Sequence, residues 1–193
     1  MRRFLAPLLF CLYPAAALAG GNSSVYTTID LDRCRVVEQG DEFTYAGTWA
    51  CEGFQGIDII QASSDDRAYV GFGKNGRQHC AFAKTFFPLN AALSPVEWRL
   101  KDGKPIAAIE RWSMVVDEDG NAVTWLVVTA LKPGNSCHMH YVAGSYPDAN
   151  AQARRAADDL AEDFDCASDV PTVDSKMGAP PISLVACKEL IEQ

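Results

Sequence analysis

IAAIERWSMVVDEDGNAVTWLVVTALKPGNSCHMHYVA, residues 106–143, decides the fold. Ile106 to Val116 reads as one strand, and Asp117-Glu118-Asp119-Gly120 as a hairpin loop. Ala122 to Leu131 is apolar on both faces, the pattern of a central strand covered on two sides. Lys132-Pro133-Gly134-Asn135 places Pro second and Gly third in a four-residue turn, where a fixed negative φ and a positive φ are wanted. Ser136 to Ala143 then closes an antiparallel meander.

A second meander precedes it. From Phe43, the residues Tyr45, Gly47, Trp49 and Cys51 alternate onto one face, and Glu52 to Gly56 forms a turn. Ile57 to Ala62 and Arg67 to Phe72 read as the next two strands, separated by Ser63 to Asp66 and ended by Gly73-Lys74-Asn75-Gly76. Residues 77–95 show no clear period, with a stop at Pro95, and Val96 to Leu100 is a short strand ahead of an Asp102-Gly103 turn. Downstream, Asp148 follows Pro147 as an N-cap. Ala149, Ala153, Ala156, Ala157, Leu160 and Phe164 recur at three- and four-residue steps, which predicts a helix that lies close against a sheet. Residues 167–181 read as an extended loop and Ile182 to Ile191 as a short last helix. The expected fold is α+β: an antiparallel sheet of about six strands in two meanders, one Ala-rich helix on it, and a C-terminal tail tethered by a disulfide.

The start of the chain predicts export. Arg2 and Arg3, an apolar run from Phe4 to Leu12, and Ala17-Leu18-Ala19 have the order of a signal peptide cut after Ala19. The expected organisation is a leader over 1–19, a flexible segment over 20–29 and a single secreted domain over 30–193. Of seven cysteines, Cys11 lies in the leader and six lie beyond it, an even set that predicts disulfides in an oxidising compartment. Six cysteines permit many pairings. Local logic favours Cys34–Cys51, tying the N-terminal segment to the first strand, and Cys137–Cys166, tying the last strand to the helix end, which leaves Cys80–Cys187. The chain carries 17 basic and 25 acidic residues; losing Arg2 and Arg3 leaves 15 against 25, or −10 with histidine neutral. That charge disfavours nucleic acid and anionic lipid and suits a cationic protein partner. No later segment reads as a membrane span.

Chemistry has few places to reside. On a regular strand, His138 and His140 project to one face roughly 7 Å apart, a spacing that suits copper or zinc, with His79 as a possible third ligand. No cofactor other than such a metal is implied. Asp158, Asp159, Glu162, Asp163 and Asp165 crowd the C-terminal end of the helix, where the macrodipole disfavours negative charge, and Arg154 and Arg155 are spaced to pair with Asp158 and Asp159. The Asp117–Gly120 segment lacks the spacing and closing Glu of a calcium loop. Nucleophile elbows, phosphate loops and dinucleotide fingerprints are missing. Trp49, Trp98, Trp112 and Trp125 either fill the core or line a glycan groove, and their alternating apolar surroundings favour the core.

Several motifs together resemble a family of uncharacterised small secreted or periplasmic proteins of alphaproteobacteria. They are Trp49-Ala50-Cys51-Glu52-Gly53-Phe54-Gln55-Gly56, Asp66-Arg67-Ala68-Tyr69-Val70-Gly71-Phe72-Gly73, Val96-Glu97-Trp98-Arg99, Pro105 to Trp112, Cys137 to Val142, and the Ala-rich helix into Asp163-Phe164-Asp165-Cys166. The resemblance covers about residues 30–170 and implies an exported domain with no catalytic or binding residue to carry over. It also implies that Cys80 and Cys187 are an additional pair. The function expected is a non-enzymatic, envelope-associated binding or protective role, including inhibition of a basic enzyme. The alternatives are a metal-binding protein using His138 and His140, and a hydrolase in which His79, an acid and a hydroxyl converge.

Overall fold

The computed structural model describes residues 21–40 and 46–191. The leader with Cys11 and the Ala19 cut, the Phe43–Tyr45 start of the first expected strand, and the last two residues lie outside them. The fold is α+β, with the two meanders in two different sheets. The first sheet joins β2 (Arg35–Gln39), β3 (Gly47–Phe54), β4 (Ile57–Ser64) and β5 (Arg67–Phe72) in that order. The second has the order β1 (Asn22–Thr27), β6 (Leu89–Lys101), β7 (Lys104–Val115), β8 (Ala122–Lys132), β9 (Asn135–Ala143) and β10 (Thr172–Asp174). Segment 20–29, read from sequence as flexible, contains β1, which pairs antiparallel with β6. The short β10 pairs parallel with β9, so the six-stranded sheet is mixed.

The meanders separate because the chain between β5 and β6 leaves the first sheet. It turns at Gly73 and runs through 3-10 turns at Gly76–Gln78 and Cys80–Ala83. There it passes so close to β5 that a Cβ on Gly71 would collide with the Gly76 carbonyl. It then enters β6 at Leu89, earlier than the Val96 expected from Pro95, and absorbs the proline region in a register shift between Leu93 and Glu97. Tight hairpins elsewhere follow from local chemistry. Gln55-Gly56, Asp65-Asp66 and Asp102-Gly103 all hold positive φ at both central residues, the turn whose twist matches paired strands.

The sheets pack face to face over Ile59, Val70, Phe72, Val96, Trp98, Trp112, Val127 and Tyr141, each no more than 2% exposed. Phe72 meets Trp98 edge-on at 5.6 Å, and Phe86 sits 5.4 Å from Trp112 and 6.0 Å from Tyr141. Each such side chain contributes roughly 1.5–3 kcal/mol by leaving water. Trp98, Trp112 and Trp125 are therefore core residues, and Trp49 packs against them half-buried. The opposite face of the six-stranded sheet takes α1 (Ala149–Leu160), whose Ala149, Ala153 and Ala157 press on Ile109, Leu126, Val128 and Val142. Asp148 stands at the N-cap position, but its carboxylate accepts from Gln152 and Arg155 rather than from backbone N–H groups. Three disulfides brace the frame: Cys34–Cys51, Cys137–Cys166 and Cys80–Cys187. The last fixes α2 (Cys187–Ile191), shorter than the helix expected from Ile182.

Candidate functional site

The histidine pair does not share a face. The β8–β9 register shifts by one residue, so that Thr129 lies opposite His138 but Val128 lies opposite His140. Neighbouring strand residues point to opposite sides, so the bulge at Met139 sends His138 into the space between the sheets and His140 to the helix side. His138 stacks edge-on against Trp112 and Tyr141, and its Nδ1 lies 2.9 Å from the Tyr141 hydroxyl. Burial pushes its pKa down to about 3, helped by the charge of Lys84. His140 Nδ1 lies 2.6 Å from Thr172 Oγ1, and its Nε2 is 3.4 Å from Asp174 Oδ2 without hydrogen-bond geometry. His79 sits apart on a turn. Among the described residues, no group of three or more His, Cys, Asp or Glu is placed to hold a metal ion.

His79 does meet a hydroxyl. Its Nδ1 is 3.2 Å from Ser136 Oγ, beside a cavity of about 400 Å³ lined by Lys74, Asn75, Lys132 and Asn135. Ser136 is fully buried and its Oγ accepts from the Phe72 N–H, while the cavity wall contains no Asp or Glu. The convergence that a hydrolase needs is not formed there. Glu110 is a further buried group that sequence reading passed over. Desolvation pushes its pKa up to about 8, against a weaker pull from the Trp112 indole, and Oε1 has no hydrogen-bond partner. Lys84, at 3% exposure, is lowered to about 8 by burial and donates to the Val185 carbonyl at 2.6 Å. These groups serve the interior.

The accessible polar constellation lies along α1. Asn150, Arg154 and Asp158 recur every four residues and so form one stripe on the flank facing β1 and β6. Each meets a residue of the sheet face below. Asp158 takes a two-pronged contact from Arg99, at 2.6 and 2.7 Å. Arg154 grips Glu97 at 2.6 and 3.2 Å and donates to the Tyr26 hydroxyl at 2.9 Å. Ser24 joins the two rungs, donating to Glu97 at 2.5 Å and accepting from Arg99 at 3.1 Å. The expected pairing of Arg154 with Asp158 gives way to these cross-element forks, and Arg155 turns from Asp159 to the exposed Asp148 at the helix start.

The third rung differs. Asn150 meets Arg111, whose Nη2 donates to Asn150 Oδ1 at 3.1 Å and whose Nη1 donates to Thr124 Oγ1 at 3.3 Å. Both acceptors are neutral, and Arg111 makes no ion pair with a described carboxylate. Beside it runs a groove of about 280 Å³, walled by Tyr26, Leu93, Ser94, Pro95, Glu97, Ile109, Leu126, Asn150 and Arg154. The groove exists because α1 packs mainly over β8 and β9 through its alanines, leaving part of β6 and β7 uncovered on that side. Sequence reading missed it, since Arg111 and Glu97 come from strands far from the helix; the four-residue Asn150–Arg154–Asp158 stripe was the available signal.

Compared with known proteins, the chain matches no family model, no curated protein and no solved structure.

Proposed function

We propose that this is a non-catalytic binding protein of the periplasm or extracellular space, delivered by the leader over 1–19, and that the groove beside α1 takes an anionic ligand. The observation that carries the reading is Arg111: a half-buried guanidinium on a groove wall, held by two neutral oxygens, in a chain whose net charge is −8. Cations in acidic proteins find carboxylates readily; one left with an amide and a hydroxyl keeps its charge for a ligand. Three disulfides suit an oxidising compartment, and no helix among the described residues is long and apolar enough to cross a membrane. Nuclear magnetic resonance during titration with small anions tests the reading. Shifts centred on Arg111, Thr124 and Asn150, lost in Arg111→Gln, support it; unchanged spectra at those residues reject it.

A second reading rests on a different surface. Asp159, Glu162, Asp163, Asp165 and Asp169 are all exposed around the C-terminal end of α1, with Lys101 and Lys132 the nearby cations, both engaged by Glu162. Such a surface suits docking of a basic protein, as an inhibitor would. Mixing with lysozyme at low salt is the test, and failure to form a complex removes it.

A further inference from the structure

We propose that the groove's ligand is a monocarboxylate carried on a short apolar body, an inference that rests on the anion-binding reading above. The register places the charge among hydrocarbon. Leu93 on β6 and Leu126 on β8 lie directly across from Arg111, on the same face of the sheet, and Ile109 follows two residues along β7. Pro95 adds a further apolar surface to the groove lining. A ligand head on Arg111 therefore has an aliphatic floor under whatever it carries.

The charge balance of the groove selects a single negative charge. Arg154 is neutralised by Glu97, so Arg111 is the one cation of the groove without an acidic partner among the described residues. With Glu97 and Arg154 cancelling each other, Arg111 leaves the groove lining one net positive charge, which one negative charge on the ligand balances. Geometry selects a planar head. A guanidinium has five N–H donors, and Thr124 and Asn150 occupy one on each terminal nitrogen of Arg111. The remaining N–H groups match the two oxygens of a carboxylate. Volume selects a small body: about 280 Å³ falls just below the range of drug-sized ligand pockets, roughly 300–1,000 Å³. A straight acyl chain of a few carbons or one aromatic ring meets these conditions.

Calorimetric titration of the intact secreted protein with acetate, butanoate and hexanoate tests the assignment, with hexanol and inorganic phosphate as separate arms. Affinity should rise about fourfold per added methylene until the groove is full, the equivalent of about 0.8 kcal/mol per buried CH₂. Hexanol should not bind measurably. Arg111→Gln should weaken hexanoate at least tenfold, and Arg111→Lys, which keeps charge but loses the fork, should fall between. Leu93→Ser, at a half-buried wall position, should flatten the chain-length dependence, read as the ratio of hexanoate to acetate affinity in the same variant; circular dichroism confirms that each variant is folded. If phosphate binds as tightly as hexanoate and chain length has no effect, the monocarboxylate assignment is wrong while the anion groove stands. If none of these anions binds, or Arg111→Gln binds hexanoate like the parent, both fall.

Discussion

Arg99 and Asp158 meet fork to fork across the seam between β6 and α1, with Nε–Oδ1 at 2.6 Å and Nη2–Oδ2 at 2.7 Å. Their side chains retain only 13% and 19% exposure, and the hydrogen bond to Asp158 raises the pKa of the guanidinium further. A double-mutant cycle of Arg99→Gln and Asp158→Asn, read by urea denaturation, should give a coupling of about 1–2 kcal/mol, above the ~0.2–1 kcal/mol of exposed pairs. The exposed Arg155–Asp148 pair, treated alike, should give a value near the bottom of that range.

The buried titrating groups give the stability a shaped pH profile. Glu110 keeps its proton up to about pH 8 when folded and loses it near 4.5 when unfolded. The folded state thus binds more protons in that window, and stability falls as pH rises through it, by up to about 1.4 kcal/mol per pH unit. His138 does the reverse: folded it resists protonation down to about 3, against 6.5 when free, so stability is lost on acidification between those values. The two slopes oppose each other between 4.5 and 6.5, and His79 and His140, whose pKa values burial also lowers, add to the His138 side, so stability falls on acidification below 6.5. Glu110→Gln should abolish the decline between 6.5 and 8; thermal melts across that range check it, and a persisting decline would assign it elsewhere.

The three disulfides should differ in weight. In the chain-entropy model, closing a loop of ~100 residues contributes about 4–5 kcal/mol and one of ~15 about 3 kcal/mol. Cys80–Cys187 spans 107 residues and Cys34–Cys51 spans 17. Cys80→Ala/Cys187→Ala should therefore lower the melting temperature more than Cys34→Ala/Cys51→Ala. It should also expose the tail after β10 to protease first, since what then holds it is a few hydrogen bonds: Lys84 to Val185, Phe87 to Pro181, Cys187 to Cys166 and Lys188 to Ala167.

Gly144 has little room. A Cβ there would collide with Thr124 Oγ1 and lie 3.0 Å from Arg111 Nη1. Gly144→Ala should cost about 1–3 kcal/mol, as overpacking does, and should displace Arg111. Denaturation together with anion titration reads both effects, and a stable variant with an unchanged titration would show that Thr124 does not position Arg111.

Local sequence order was enough for what is locally determined. The residues 106–143 meander, the alanine stripe of α1 and the Asp117–Gly120 loop, where Asp117 receives the Asn121 backbone and side-chain N–H groups, all follow from period and turn chemistry. Cys34–Cys51 and Cys137–Cys166 match the local reading, and Cys80–Cys187 is the pair that it left over. The division into two sheets was not legible, because alternation in β5 and β6 is the same whether or not they pair. Nor was β1: Asn22-Ser23-Ser24-Val25-Tyr26-Thr27 is short and polar, and only β6 gives it a partner. The histidines show the limit best. Period two put His138 and His140 together, and one extra residue at Met139 parted them.

The pairing of β1 also orders events in time. Its residues find partners roughly 70–80 positions further along, a separation that makes contact slow to close. Strands β3, β4 and β5 are joined by two-residue turns and zip as soon as they are made. A chain synthesised from its N-terminus therefore produces β1 early and uses it late, so the strand that carries Ser24 and Tyr26 has no partner until β6 is made.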